Sequence, residues 1–442
     1  MATLNETIFD KWEPVLSEES EGAPKLEGRK ARYMARLLEN TEKELKHDQS
    51  SVNMSSLFES VGAAPTNIAG GINNYDPVLI SLIRRSMPNL IAYDICGVQP
   101  MTGPTGLIFA LTPHYSNQTG TVAFYVEPNT GFSTVTAGNT TIGQAANNVG
   151  GNSSVVVSGN SSTYNFAGGM ATAQAEALGS SANVDFAQMG ISIEKVTVTA
   201  QSRALAASYS IEMAQDMKAV HGLDAETELT TILSAEILAE INREIIRTVV
   251  LTATAGSQAT TVAGTFDLDV DANGRWSAEK FKGLLAQIEF ECNAIAKQTR
   301  RGKGNIIVCS SNVASALAMA GVLDYAPAIN SAGLQVDDTG NTFAGVIMGR
   351  IKVYIDPYSG GDYFVVGYRG PSPFDAGLFY APYVPLQMVR AVGQDTFQPK
   401  LGFKTRYGVV ANPLSPGATT GTGALIQNAN VFYRRSLVAN LF

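Results

Sequence analysis

Charge is what this sequence has least of. Asp, Glu, Lys and Arg make up 16% of its 442 residues, against about 25% in ordinary globular domains. Between Ile95 and Ala175 the single such residue is Glu127. A chain of this length is long enough for two or three domains around a large core, and so much surface ordinarily carries more charge. Either the exposed surface is unusually neutral or much of it faces other protein. A basic excess is missing too. The formal net charge of -8 argues against a general nucleic-acid binder that works by releasing counterions from phosphates, local basic patches apart. The three cysteines, Cys96, Cys292 and Cys309, are odd in number and far apart, with no CxxC. They argue against a disulfide framework or a zinc site and suit a reducing cytoplasm. Nowhere do about 18 apolar residues run together, and "MATLNETIFDKWEP" has neither a basic n-region nor an apolar h-region. We therefore expect no membrane span, no export signal, and no glycans on the Asn-x-Ser/Thr triplets.

Motifs that carry chemistry are equally scarce. His47, His114 and His221 stand in three separate segments without an HxxxH or HExxH partner, and no P-loop, dinucleotide fingerprint or GxSxG elbow occurs. Ser192 and Lys195 form an SxxK inside a predicted strand, where the two side chains point to opposite faces. Glu236, Glu240 and Glu244 make a carboxylate row that reads, without histidine, as a solvated helix face. "DVDANGRWSAEK" places Asp269, Asp271, Asn273 and Gly274 as a calcium loop would, but its twelfth position is Lys280 where a bidentate Glu is required. An Asx-rich turn is the better reading. The expectation is no catalytic residue, no cofactor, no metal and no enzyme. The competing reading is a cytoplasmic enzyme using the Asp269 loop as a metal site.

What is present is unevenly distributed. Residues 1–59 carry 12 acidic and 8 basic residues, a density that reads as helix or solvated tail. In "ARYMARLLENTEKELKH" Tyr33, Leu37, Leu38 and Leu45 recur at helical intervals, with charge on the other face. "SVGAAPTNIAGGINN" follows as a flexible strap. Then "DPVLISLIRR" predicts a helix with Asp76 as N-cap, Pro77 at its first position and Arg84 and Arg85 at its negative end. The uncharged stretch beyond Ile95 is either a disordered linker or an extended β-hairpin loop with an inserted β subdomain. Pieces such as "TVAFYV" and "SSVVVSG" favour the second, because an uncharged β-branched segment left free is an aggregation hazard. Such a loop lies against neighbouring subunits.

From Ile191 onward "ISIEKVTVTAQSRALAASYS" reads as one long strand and "IEMAQDMKAV" as a helix that pauses at Gly222. Asp224 caps a longer helix in which Leu229, Ile232, Leu233, Ile237, Ile241, Ile245 and Val249 form one apolar stripe. A Ser277-capped helix, the strand "NIIVCS" and the helix "SNVASALAMAG" come next, then strands separated by Gly and Pro turns. The class is α+β, with mixed sheets around one long helix.

Two further stretches bear on function. "GLFYAPYVPLQM" sets Phe379, Tyr380 and Tyr383 among prolines that interrupt sheet pairing. We expect these three rings to fill the core and part of an intersubunit seam, plain intrasubunit core being the alternative. Leu57-Phe58-Glu59 before Ser60 lies where the charged arm meets the strap. An L-x-E triplet alone means little, since four others occur.

Long runs carry a resemblance. "RRSMPNLIAYDICGVQPMTGPTGLIFAL", "SRALAASYSIEMAQDMKAVHGLDAETEL", "EILAEINREIIRTV", "NGRWSAEKFKGL" and "DPYSGGDYFVVGYRGPSPFDAGLFYAPYVPLQMVRAVGQDTFQPKLGFKTRYGVVANP" are spread over residues 84–413. They make the sequence similar to the major capsid proteins of T-even-like contractile-tailed bacteriophages, or myoviruses, including cyanophage relatives. The match is weakest over about 130–183, where family members carry an inserted domain of variable sequence.

The resemblance implies the Hong Kong 97-type capsid fold. Its parts here are a propeptide or scaffold-contacting arm at 1–59, a strap and helix at 60–94, and an extended loop at 95–190 carrying the insertion. A peripheral domain with a spine helix follows at 191–265, then an axial domain at 266–375 and a return to the peripheral domain at 376–442. It further implies hexameric capsomers of copies of the chain itself, assembled in the host cytoplasm into a head shell around packaged double-stranded DNA that is bound without sequence specificity. Vertex, portal, scaffolding and decoration proteins are the other implied partners, with no membrane. A prohead protease would recognise Leu57 and cut after Glu59, between Phe58-Glu59 and Ser60. A vertex protein forming pentamers is the alternative within the same fold. Loss of the arm takes away half of the net negative charge, leaving a mildly negative shell along which DNA slides.

Overall fold

Periods of two and of 3.6 residues account for most of what the chain builds. The computed structural model describes residues 2–17, 26, 28–56, 90–123, 132–135, 172–176, 178–179, 186–256, 260–272, 276–321, 323–325, 342–393, 398–413 and 424–441. The helix expected over 76–85, the strap before it and most of the 130–183 insertion lie outside these. In chain order the described strands are β1 (Gly97–Val98), β2 (Thr105–Tyr115), β3 (Met189–Thr199), β4 (Gln201–Ser208), β5 (Ala253–Ala255), β6 (Thr265–Asp267) and β7 (Ile306–Ser310). They continue as β8 (Leu323–Tyr325), β9 (Thr342–Ile347), β10 (Ile351–Asp356), β11 (Tyr363–Gly367), β12 (Leu378–Val392), β13 (Pro399–Ala411) and β14 (Asn430–Ala439). The class is α+β.

The chain divides into two units: Met1–Leu107 with Val196–Ile295 and Gly302–Phe442, and Ile108–Lys195 with Ala296–Arg301. In the first, a mixed sheet runs β5-β14-β11-β7-β10-β9-β8, with β6 also on β14. Its central strand β7 is buried at every residue, which is why "IIVCS" shows no polar alternation. The helix Ser277–Thr299 lays Leu284, Ile288, Cys292 and Ile295 into the same core cluster as Ile307 and Phe364. Ser277 is the first helical residue and not the cap: Glu279 and Lys280 donate their N–H groups to the Trp276 carbonyl at 2.8 and 2.9 Å. Ser310 does cap the helix Ser311–Met319, its Oγ accepting from Val313 N at 3.4 Å.

A second sheet runs β1-β12-β13-β4. Pro382 and Pro385 leave β12 as one strand but break its register against β13, between Pro382 and Val384 and again between Val384 and Gln387. The expected single strand from Ile191 is two: β3 pairs with β2, and after Ala200 the chain changes partner so that β4 pairs with β13. The helix Ile211–Asp216 passes into a π turn, Met217–His221, which stops at left-handed Gly222 (φ 68°). The long helix Ala225–Thr252 then buries Leu233, Ile237, Ile241, Ile245 and Val249. Ile232 departs from the expected stripe and is exposed, because it lies about 100° round the helix from Leu233. Asp224 holds the extended cap geometry, yet its carboxylate accepts from Thr227 Oγ1 at 2.8 Å and makes no backbone cap bond.

The arm is not a solvated tail. Helices α1 (Ala2–Ser17) and α2 (Gly28–Ser56) bury Trp12, Leu16, Met34, Leu37 and Leu38 in the core cluster that holds Leu90, Tyr93 and Tyr380. The apolar face expected of α2 is its buried one, and Lys11 ties the two helices together through Glu39 at 3.0 Å and through Glu42. In the second unit the described parts are the β2–β3 ribbon and two short helices, Phe132–Val135 and Thr172–Glu176.

Candidate functional site

Among the described residues no group of three or more His, Cys, Asp or Glu is placed to hold a metal ion. The Asp269 loop shows why for its own carboxylates. Lys280 donates Nζ to Asp269 Oδ1 at 2.7 Å, so a side-chain cation stands at the twelfth loop position. Asp267 Oδ1 accepts from Asp269 N at 2.9 Å, the bonding of an Asx turn, and Asp271 accepts from Thr261 N, Thr261 Oγ1 and Asp267 N at 2.9, 2.7 and 3.0 Å. Asn273 and Gly274 lie outside the described residues. Cys96, Cys292 and Cys309 are all buried, and burial pushes each thiol up to about 12, which keeps them protonated and inert.

The carboxylate row is a clamp. Arg203 on β4 donates Nη1 to Glu240 Oε2 at 2.8 Å, Nη2 to Glu244 Oε2 at 2.6 Å and Nε to the Tyr407 hydroxyl at 2.5 Å, while Tyr407 donates its own proton to Glu244. Burial alone would lower the Arg203 pKa; the bonds to Glu244 and Tyr407 overcome it and raise it. Glu236, the third of the row, is exposed and makes no ion pair among the described residues. The clamp fastens β4 and β13 to the long helix. Arg203→Met is expected to cost about 1 kcal/mol, since both ion pairs are a third or more exposed and such pairs are worth little each; urea unfolding of the subunit checks it.

From Tyr407 a run of rings leads to the arm. Tyr407 and Tyr380 lie 5.5 Å apart, Tyr380 meets Tyr93 edge-on at 6.1 Å, and Tyr93 stacks on Tyr33 of α2 at 6.4 Å. The stretch around β12 is therefore partly explained within one chain. Phe379 is 2% exposed and Tyr380 0%, so within the single chain both rings are core. Each contributes about 1.5–3 kcal/mol by burial. Phe379 stacks so close over Gly97 that a Cβ there would come within 2.9 Å of the ring. Tyr383 is half-buried, with the Arg406 guanidinium 5.2 Å over its ring. Its carbonyl accepts from buried Asn40 of α2 at 3.1 Å, and the same amide bonds the Met101 carbonyl at 2.7 Å. Leu57, Phe58, Glu59 and Ser60 lie outside the described residues.

The second unit supplies what composition could not. His114 Nδ1 donates to the Gly120 carbonyl at 2.7 Å, which leaves Nε2 to accept from Ser192 Oγ, also at 2.7 Å. This pair locks β3 to β2; no sequence signal linked residues 78 apart. It also fixes which residues share a face: with His114 and Ser192 on one side, the odd-numbered residues are on the other. There Phe109, Leu111, Ile191 and Ile193 are 51, 56, 60 and 68% exposed, beside Met189. An exposed apolar stripe of this kind marks a surface that a partner covers.

The profile of the family described as major capsid protein Gp23 matches residues 72–438. The chain is 39% identical to the major capsid protein of Serratia phage KSP90, over 99% of each chain. It is 40% identical to that of Salmonella phage ViI, again over 99% of each. With that of Enterobacteria phage T4 it shares 37% over 98% of this chain and 97% of the relative. Among solved structures it is similar to the capsid of Myoviridae Phage XM1, 8% identical, with 86% of this chain and 95% of that one covered at a TM-score of 0.41.

Proposed function

The chain belongs to the Gp23 major capsid protein family, and from that premise we propose how it assembles: as hexameric capsomers of the Hong Kong 97 type, joined in part by the β2–β3 ribbon, into the head shell around double-stranded DNA. Shell formation from copies of itself, in the virion capsid, is the family's role. The ribbon's exposed apolar stripe is the observation that carries the reading. Its occupant is a second copy of the chain, because a shell places a neighbour beside every subunit and the stripe offers apolar area with a single charge, Lys195, on its face. Imaging of purified particles tests this: the stripe should be covered by an adjacent subunit, and a stripe left facing solvent in the shell would reject it.

The arm acts before maturation. It bridges to scaffolding protein through the outer face of α2, and a prohead protease removes it after Glu59, with Leu57 as the recognition residue. Departure takes Tyr33 off Tyr93 and Asn40 off β12, which bares the surface beside Tyr383 for a neighbour. Cutting thereby makes a new contact face at the time the shell needs one. Vertex, portal and decoration proteins complete the particle, which forms in the host cytoplasm. Glu59→Ala should leave particles whose subunits keep the arm, seen as a mass difference and by N-terminal sequencing; wild-type particles whose chains begin at Met1 or Ala2 would exclude the cut.

A further inference from the structure

A cavity of about 430 Å³ lies where the arm meets the body, walled by residues of α2, of the segment before β1, of β7 and β10 and of the turn after β11. Five cations line it, Arg29 and Lys30 from the arm and Arg350, Lys352 and Arg369 from the body, against one carboxylate, Asp94. That carboxylate reaches only Lys30, at 3.5 Å. Arg350 pairs with Glu289 at 2.6 Å, but Glu289 is shared with Lys303. Arg29 and Arg369 donate to the carbonyls of Pro371 and Tyr93, and among the described residues no carboxylate meets either of them or Lys352. In a chain of net charge -8, so many cations around one space repel each other unless something negative sits among them.

The second observation is polar. Tyr33 and Tyr93 also line the cavity, and the hydroxyls of both are buried without a hydrogen-bond partner among the described residues. Tyr93 is 3% exposed, and a buried hydroxyl left unpaired is rare in folded proteins. Burial raises the Tyr33 phenol, against the opposing pull of Arg369 and Arg29, so it stays an O–H donor. The cationic N–H groups around the space match the acceptor oxygens of a phosphate-type anion, and the two unpaired hydroxyls belong to residues of its wall.

We propose that this cavity binds a phosphate-type oxyanion, which clasps the arm to the body by neutralising cations from both. The ligand is a free phosphate or diphosphate group or a phosphodiester of a nucleic-acid strand; the donors recognise the same oxygens in each. The cavity is complete in the full-length chain, so a fault in the capsid reading would leave the clasp untouched, while loss of the arm would take away its Arg29 and Lys30 wall.

The test is thermal unfolding of the unassembled full-length chain with inorganic phosphate, pyrophosphate or a short oligonucleotide lacking terminal phosphates, each against potassium chloride at equal ionic strength. Saturable stabilisation by phosphate or pyrophosphate is expected, and by the oligonucleotide as well if a phosphodiester enters. Lys352→Gln and Arg29→Gln, both exposed side chains on opposite walls, should each weaken apparent affinity about tenfold, as expected for loss of one charge-assisted contact. Lys404→Gln, the same charge change on β13, should leave it unchanged. Stabilisation no greater than that of chloride for all three probes, or equal effects of Lys352→Gln and Lys404→Gln, would overturn the proposal.

Discussion

Glu291→Leu is expected to destabilise the subunit by about 3–5 kcal/mol, a large share of the stability of any domain. Glu291 on the helix Ser277–Thr299 receives Arg434 Nε of β14 at 2.5 Å, and the two side chains are 0% and 3% exposed. Its other oxygen accepts from Gln287 at 2.9 Å. Gly256 passes so near that a Cβ there would stand 2.9 Å from that oxygen. Removing the carboxylate takes the Glu291 ion pair from a buried Arg434 guanidinium, and the tight surroundings leave little room for a compensating water. The cost is that of an orphaned charge and not the net worth of the pair. Glu291→Leu combined with Arg434→Met should therefore recover most of the loss. Urea unfolding of the unassembled subunit measures both; a single variant within about 0.5 kcal/mol of wild type would show that the pair is not isolated from water.

The elements that could be read ahead of the structure are those whose cause is local. The Ile237-Ile241-Ile245-Val249 spacing and the Gly222 stop determine the long helix and its start. The prolines of β12 determine where its ladder slips. What was hidden depends on residues far apart in the chain: Arg203 reaches Tyr407 across 204 positions and Glu240 across 37. A carboxylate row looks solvated until its cation arrives from another strand. For the arm, the sequence showed a helix but not what covers it. The Tyr33-Leu37-Leu38 spacing gave the apolar face of α2, while its burial against Leu90, Tyr93 and Tyr380 depends on residues far along the chain. For β12, composition announced an aromatic surface but not which partner would cover it, and the fold gave Phe379 and Tyr380 to their own core. The processing segment itself, Leu57 to Ser60, was legible only through family resemblance, since a Leu-x-Glu triplet has no structural cause of its own.

The largest effect on assembly should come from the ribbon. Leu111→Asp together with Ile193→Asp puts two carboxylates on the stripe while touching nothing in the subunit core, because both side chains are more than half exposed in the single chain. Subunit stability should stay within about 0.5 kcal/mol of wild type. Against a neighbour, each change removes about 1.5–3 kcal/mol of apolar burial and adds the cost of desolvating an unpaired charge. That weakens each ribbon contact by at least about 10²-fold. A shell repeats the contact at every subunit, so the loss compounds, and sedimentation should find the doubly substituted chain as folded small species with no shells by electron microscopy. Leu111→Ala with Ile193→Ala, which removes area and adds no charge, should fall between. The graded order matters more than the endpoint: a ribbon that works by burying its stripe must respond to area and to charge separately. A doubly charged variant that still closed into shells would mean that the stripe faces nothing.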